Sequence, residues 1–128
     1  MVTLVDNGLK QAIKRLVGVP ANPQKWVQVG EGTADEDITQ TGLDIPIDEH
    51  GLGRVEGSSY FEEPNIGAVT ATLGPNTSGG VIEVWEAGLF DVDGIMSLRH
   101  KYATARVLDP GDSIEITFKN MTVRQGVE

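Results

Sequence analysis

The chain has no cysteine among its 128 residues. That excludes disulfide staples, thiolate metal centres and a cysteine nucleophile, and it leaves the redox compartment open. No apolar run approaches the roughly 20 residues that a membrane-crossing helix needs. The first residues also lack the charged start and long apolar core of a secretion signal, so we expect a mature protein that begins at Met1 and does not insert into a membrane. Aromatic residues are few, with three Phe, two Tyr and two Trp, which leaves little from which to build stacking platforms for bases. Positive charge is short too: 10 Lys and Arg stand against 19 Asp and Glu, and the net charge of -9 would repel a phosphate backbone. Nucleic acid is therefore not an expected partner. A surface this acidic serves solubility and would also suit high salt.

Catalytic signatures are missing as well. Gly30-Glu31-Gly32-Thr33 is glycine-rich, but it lacks the Lys and Ser/Thr of a phosphate loop and no helical pattern follows it. His50 and His100 lie far apart, and neither stands in a local metal-ligand spacing. Asp35 and Asp37 have no Gly at the sixth position and no Glu at the twelfth, and Asp91-Val92-Asp93-Gly94 falls inside a hairpin, where it reads as a turn and not a calcium loop. Glu83, Glu86 and Asp91 read as wet-face and turn carboxylates before they read as a glycosidase pair, and no serine sits in a nucleophile elbow. We expect no catalytic residue, no metal site and no cofactor. Asn76-Thr77-Ser78 and Asn120-Met121-Thr122 match the short glycosylation pattern, and only the first lies in an evident loop.

What the sequence does contain is strand and turn. The stretch V-I-E-V-W-E-A-G-L-F-D-V-D-G-I-M-S-L-R-H-K-Y (81–102) reads as a strand, a corner shaped by Glu86, Gly88 and Asp91, and a second strand that continues over 103–108. Upstream, 26–29 is a first strand with Val27 and Val29 on one face, and I-G-A-V-T-A-T-L (66–73) is a strand low in charge and rich in β-branched residues. Residues 53–62 alternate weakly, with Val55, Ser59 and Phe61 on one face and Arg54, Glu56, Ser58 and Tyr60 on the other. Between 31 and 63 lie ten of the nineteen acidic residues and one basic residue, Arg54, in a segment that reads as loop with at most a short strand near 43–47. Turns follow at 74–80 and at Asp109-Pro110-Gly111-Asp112. The last strand, 113–123, sends Ile114, Ile116 and Phe118 to one face and Glu115, Thr117 and Lys119 to the other. Seven or eight short strands with 16 Gly to turn between them predict an all-β chain, an antiparallel β-sandwich of jelly-roll type. Its core draws on Trp26, Val84, Leu89, Phe90, Leu98, Ile116 and Phe118.

One helix precedes the strands. Over 3–17, Leu9, Ala12, Ile13, Leu16 and Val17 recur at i, i+3, i+4, i+7 and i+8, a single apolar stripe, and Gly18 and Pro20 end the run. Residues 1–18 thus form an N-terminal helix segment and 19–128 the sandwich domain, joined through the proline-containing V-P-A-N-P-Q-K link. The stripe either covers the sheet of its own chain or docks on a neighbour; in the second case Leu9, Ile13, Leu16 and Val17 form an oligomer interface.

The order of these features carries a resemblance. An N-terminal amphipathic helix, W-V-Q-V-G-E-G-T (26–33), an acidic loop, E-A-G-L-F-D (86–91), I-M-S-L-R (95–99) and L-D-P-G-D-S-I-E-I-T-F (108–118) together resemble a family of small structural proteins of tailed bacterial and archaeal viruses, of the tail-fibre, minor-virion or decoration type. Phe118 stands where that pattern has Trp. The resemblance implies a non-enzymatic protein of the virion that forms homo-oligomers and contacts other virion proteins, in a tail-tip, fibre, baseplate or capsid-surface (decoration, turret) assembly. The alternative is a module on the same fold that binds a host-surface glycan or receptor, for which Tyr60, Trp85 and Tyr102 are the candidate aromatics.

Overall fold

The computed structural model describes residues 2–18, 23–62 and 66–119. The chain is an all-β sandwich with one short N-terminal helix. In chain order the elements are β1 (Val2–Leu4), α1 (Asp6–Leu16), β2 (Gln24–Gly30), β3 (Val55–Glu56), β4 (Ser58–Glu62), β5 (Ile66–Leu73), β6 (Ile82–Asp91), β7 (Met96–Leu108) and β8 (Ile114–Lys119). A five-stranded sheet runs β1-β7-β6-β2-β3, a three-stranded sheet runs β4-β5-β8, and every pairing is antiparallel.

Alternation explains the main core. Val27 and Val29 of β2, Val84, Ala87 and Leu89 of β6, and Leu98 of β7 face inward from the larger sheet. Val69, Ala71 and Leu73 of β5 with Ile116 and Phe118 of β8 meet them from the smaller one. Each Val, Leu, Ile or Phe among them contributes about 1.5–3 kcal/mol on leaving water. The expected alternation of Ile114, Ile116 and Phe118 holds, and the strands expected at 66–73 and in the second arm of the hairpin are β5 and β7. Residues 120–123, the expected end of the last strand, lie outside the described residues, as does Asn120.

Three expectations are corrected. First, the helix begins at Asp6, because Val2–Leu4 pairs with β7 through Val2↔His100, Thr3↔Arg99 and Leu4↔Leu98. This strand is held by long-range pairing, which joins the start of the chain to the larger sheet. Second, 53–62 is not one strand. Gly57 separates β3 from β4, and the chain passes there from one sheet to the other; a Cβ on Gly57 would stand 2.6 Å from Val69 Cγ1. Third, β6 runs unbroken from Ile82 to Asp91, so Glu86 and Gly88 are mid-strand and only Asp91 shapes the corner. There the Asp91 carboxylate accepts hydrogen bonds from the backbone N–H groups of Asp93 (2.9 Å) and Ile95 (3.0 Å), which closes the turn into β7.

The outer face of the larger sheet is also covered. Trp26 and Phe90, expected in the main core, belong instead to a second cluster with Val5, Met96 and Leu43 on that outer side. The long connection 31–54 lies over it. Its return stroke pairs with the end of β2 through the Gly30↔Pro46 bridge and an Ile47 N–H bonded to the Val29 carbonyl (3.0 Å). Gly8 seats α1, because a Cβ there would run into the Ser97 carbonyl and the Leu4 side chain, so only Gly lets the helix lie directly on the start of β7.

Candidate functional site

The apolar stripe of α1 does not bury itself. Leu9 is 40% exposed, Ile13 50%, Leu16 71% and Val17 68%. With Gly8 and Val5 fixing the helix to β7, the stripe forms one wall of a groove of about 770 Å³ that opens between the two sheets. Leu4, Leu89 and Leu98 line its floor from the larger sheet. The opposite wall is β4 and β5, where Tyr60 and Phe61 stand out, Phe61 with 64% of its surface in water. The groove is therefore apolar on both walls and open to solvent. Arg15 and Lys119 add positive charge to its lining, and Lys10 and Lys14 follow on the same helix. Three of the four residues expected at an oligomer interface, Leu9, Ile13 and Leu16, line this one groove, while Val17 lies just past the helix end, exposed. The sequence stripe located the helix wall. It gave no sign of the facing wall, because Tyr60 and Phe61 reach the groove only after the sheet switch at Gly57.

A second constellation lies beneath the acidic loop. Glu86 is fully buried on the outer face of β6. Its Oε2 accepts hydrogen bonds from the N–H groups of Gly32 and Ile45, each at 2.8 Å, and its Oε1 accepts from Asp44 N–H (2.8 Å) and Arg99 Nε (3.1 Å). Arg99 is fully buried as well, and its two terminal nitrogens have no hydrogen-bond partner among the described residues. One carboxylate thus ties both ends of the loop to the sheet and neutralises a buried cation. Gly30 and Gly32 make room for it, since a Cβ on Gly30 would stand 2.6 Å from Glu86 Oε2 and one on Gly32 would run into the same oxygen. Gly88 similarly admits Leu43 and Phe90. The V-G-E-G turn, the E-A-G-L-F-D strand and the L-R pair, distant in sequence, converge on this point. Their role is to hold the loop.

The rest of the loop is fastened by polar contacts. Gln28 donates to Asp48 Oδ1 (2.8 Å) and accepts from Arg54 (3.0 Å), whose guanidinium sits 3.9 Å from the Phe90 ring centre. Glu36 accepts from Thr3 Oγ1 (2.6 Å) and Lys101 N–H (2.8 Å). Lys101 Nζ lies 2.9 Å from Asp35, and that hydrogen-bonded ammonium holds the Asp35 carboxyl below the usual aspartate value. Asp37 is lowered in the same direction by the Thr39 hydroxyl and N–H. These carboxylates serve the loop, and no group of three or more His, Asp or Glu among the described residues is placed to hold a metal ion.

The remaining candidates are dispersed. His50 is exposed, 3.2 Å from Glu49. His100 packs edge-on against Tyr102, ring centres 4.5 Å apart, in a smaller cleft of about 280 Å³ that Glu115 and Thr117 of β8 also line. Burial pushes the Tyr102 phenol above its ordinary value of 10.0, partly opposed by Arg106. Trp85 is half-buried, its indole N–H 3.4 Å from Glu83. Tyr60 and Tyr102 thus line different hollows. Asn76, in the first glycosylation pattern, is buried, and its amide donates to the carbonyls of Gly80 (2.9 Å) and Leu108 (3.0 Å), so its role is to tie two turns together. No helix among the described residues is long and apolar enough to cross a membrane. Comparison with protein-family models, curated proteins and solved structures finds no match to this chain.

Proposed function

We propose that the chain is a non-enzymatic building block of a tailed-virus particle, one that docks on other protein chains, copies of itself included, in a tail-tip, fibre, baseplate or capsid-surface assembly. The observation that carries this reading is the open groove between α1 and the β4–β5 face. Half-exposed Leu, Ile and Phe side chains contribute on the order of 1 kcal/mol each when a partner covers them, and contiguous apolar surface of this kind marks protein contact. The viral setting rests on the resemblance of the 26–33, 86–99 and 108–118 segments. The geometry of those segments supports a structural role for their distinctive residues: Gly32, Glu86, Gly88, Asp91 and Arg99 hold backbone, loop and turn. Replacing Ile13 by Asp places a charge in the groove wall without touching the inter-sheet core. We expect Ile13→Asp to lower the mass seen by light scattering after size exclusion while its far-ultraviolet circular dichroism stays that of the parent. An unchanged oligomer in that variant would remove the claim.

A second reading, recognition of a host-surface glycan or receptor, draws on the smaller cleft, where Tyr102 stands beside the polar groups of His100, Glu115 and Thr117. A glycan array probed with the chain and with Tyr102→Ala tests it: a sugar retained by the first and lost by the second supports this reading, and no retained sugar counts against it.

A further inference from the structure

Resting on the assembly reading above, we propose that the groove's occupant is the acidic lobe 31–49 of a second copy, so that copies join head to tail. The two surfaces complement each other in charge. Helix α1 carries Lys10, Lys14 and Arg15 against a single acid, Asp6, and Lys119 lies on the groove's other side. Residues 31–49 hold seven acids, Glu31, Asp35, Glu36, Asp37, Asp44, Asp48 and Glu49, and no Lys or Arg. Among the described residues, no cation is in salt-bridge contact with Glu31, Asp37, Asp44 or Asp48. Among those carboxylates the lobe also exposes two large apolar side chains, Ile38 at 58% and Ile45 at 54%. A lobe that carries exposed apolar side chains and acids thus complements an apolar groove whose lining carries Arg15 and Lys119.

Pairing the groove with its own copy fits less well. It would set one cationic helix against another, and like charges across an interface oppose docking. The lobe, by contrast, is preformed. Glu86 fixes Gly32, Asp44 and Ile45, and the Ile38 carbonyl accepts the Asp6 N–H at 2.7 Å, so little ordering cost remains on binding. The lobe covers the outer face of the larger sheet, whereas the groove opens between the sheets. Because the mating surfaces are different patches of one chain, the contact is heterologous, and repetition closes a ring or extends a filament.

Two variants, each disabling one patch, test the proposal: Ile13→Asp for the groove, and Ile38→Asp with Ile45→Asp for the lobe. In sedimentation velocity each alone is expected at the single-chain mass of 13.7 kDa. Mixed in equal amounts they should form a two-chain species that grows no further, since only one groove and one lobe remain intact. A lobe variant that assembles like the parent, or a mixture that stays single-chain, overturns the head-to-tail contact while leaving assembly through the groove standing. A parent chain that is itself single at every concentration overturns both readings. Should either variant fail to fold, the parent's salt dependence decides. Raising ionic strength from about 0.05 to about 0.5 M should weaken assembly at least roughly tenfold as the charges are screened, and assembly unchanged or strengthened by salt overturns the contact.

Discussion

Glu86 is the side chain whose loss would be felt furthest. Its four hydrogen-bond partners are all donors, three backbone N–H groups and the Arg99 guanidinium. A glutamine there keeps the shape but turns an amide NH₂ toward donors and strands a buried cation. We expect Glu86→Gln to lower unfolding free energy by about 3 kcal/mol in urea titration, the usual cost of breaking a buried pair from one side. Amide exchange at Gly32, Asp44 and Ile45 should rise more than at Val69 or Ile116. Equal stability in that variant would mean the loop is held by something else. Tyr102 makes a prediction in pH. Its folded value is raised above 10.0, so the folded state keeps the proton that the unfolded chain gives up first. The resulting stabilisation is complete below pH 10.0 and is lost as pH climbs through the folded value. Stability should therefore fall on the alkaline side, and Tyr102→Phe should flatten that fall in a series of melts above pH 9 or so.

At the scale of elements, α1 depends on how closely it can approach β7. Alanine at position 8 gains up to about 1 kcal/mol in helix propensity, yet its Cβ would meet the Ser97 carbonyl, which already accepts the Val5 N–H at 3.0 Å and cannot swing away. The clash should win. We expect Gly8→Ala to cost about 1–3 kcal/mol in urea unfolding and a stabilised variant to refute this seating of the helix. The elements were legible in the sequence where local pattern and long-range pairing agree: β8 alternates as read, β5 and β7 fall where strands are expected, and the α1 stripe lies on the face its periodicity assigns. They were not legible where pairing overrides pattern. Val2–Leu4 scans as the head of a helix until β7 offers it partners. Gly88 scans as punctuation, although its missing side chain makes room for Leu43 from a loop far upstream. Glu86 scans as a wet-face acid because its partners, 13 to 54 residues away, have no local signature. The candidate site was half legible for the same reason: one wall is a local helix, and the other arrives by a crossing between sheets.

The whole molecule is divided by charge and by exposure. An acidic lobe is fastened over one face of the larger sheet, and an apolar groove with cations beside it stays open between the sheets. The helix is held by its seat on β7, and its apolar stripe stays exposed across the groove from Tyr60 and Phe61. Whether another chain covers this surface, as we propose, is read by sedimentation velocity on the unmodified protein over a wide range of concentrations at low salt. Species heavier than 13.7 kDa are expected, in a proportion that grows with concentration. A single boundary at 13.7 kDa up to the highest concentration reached would contradict it.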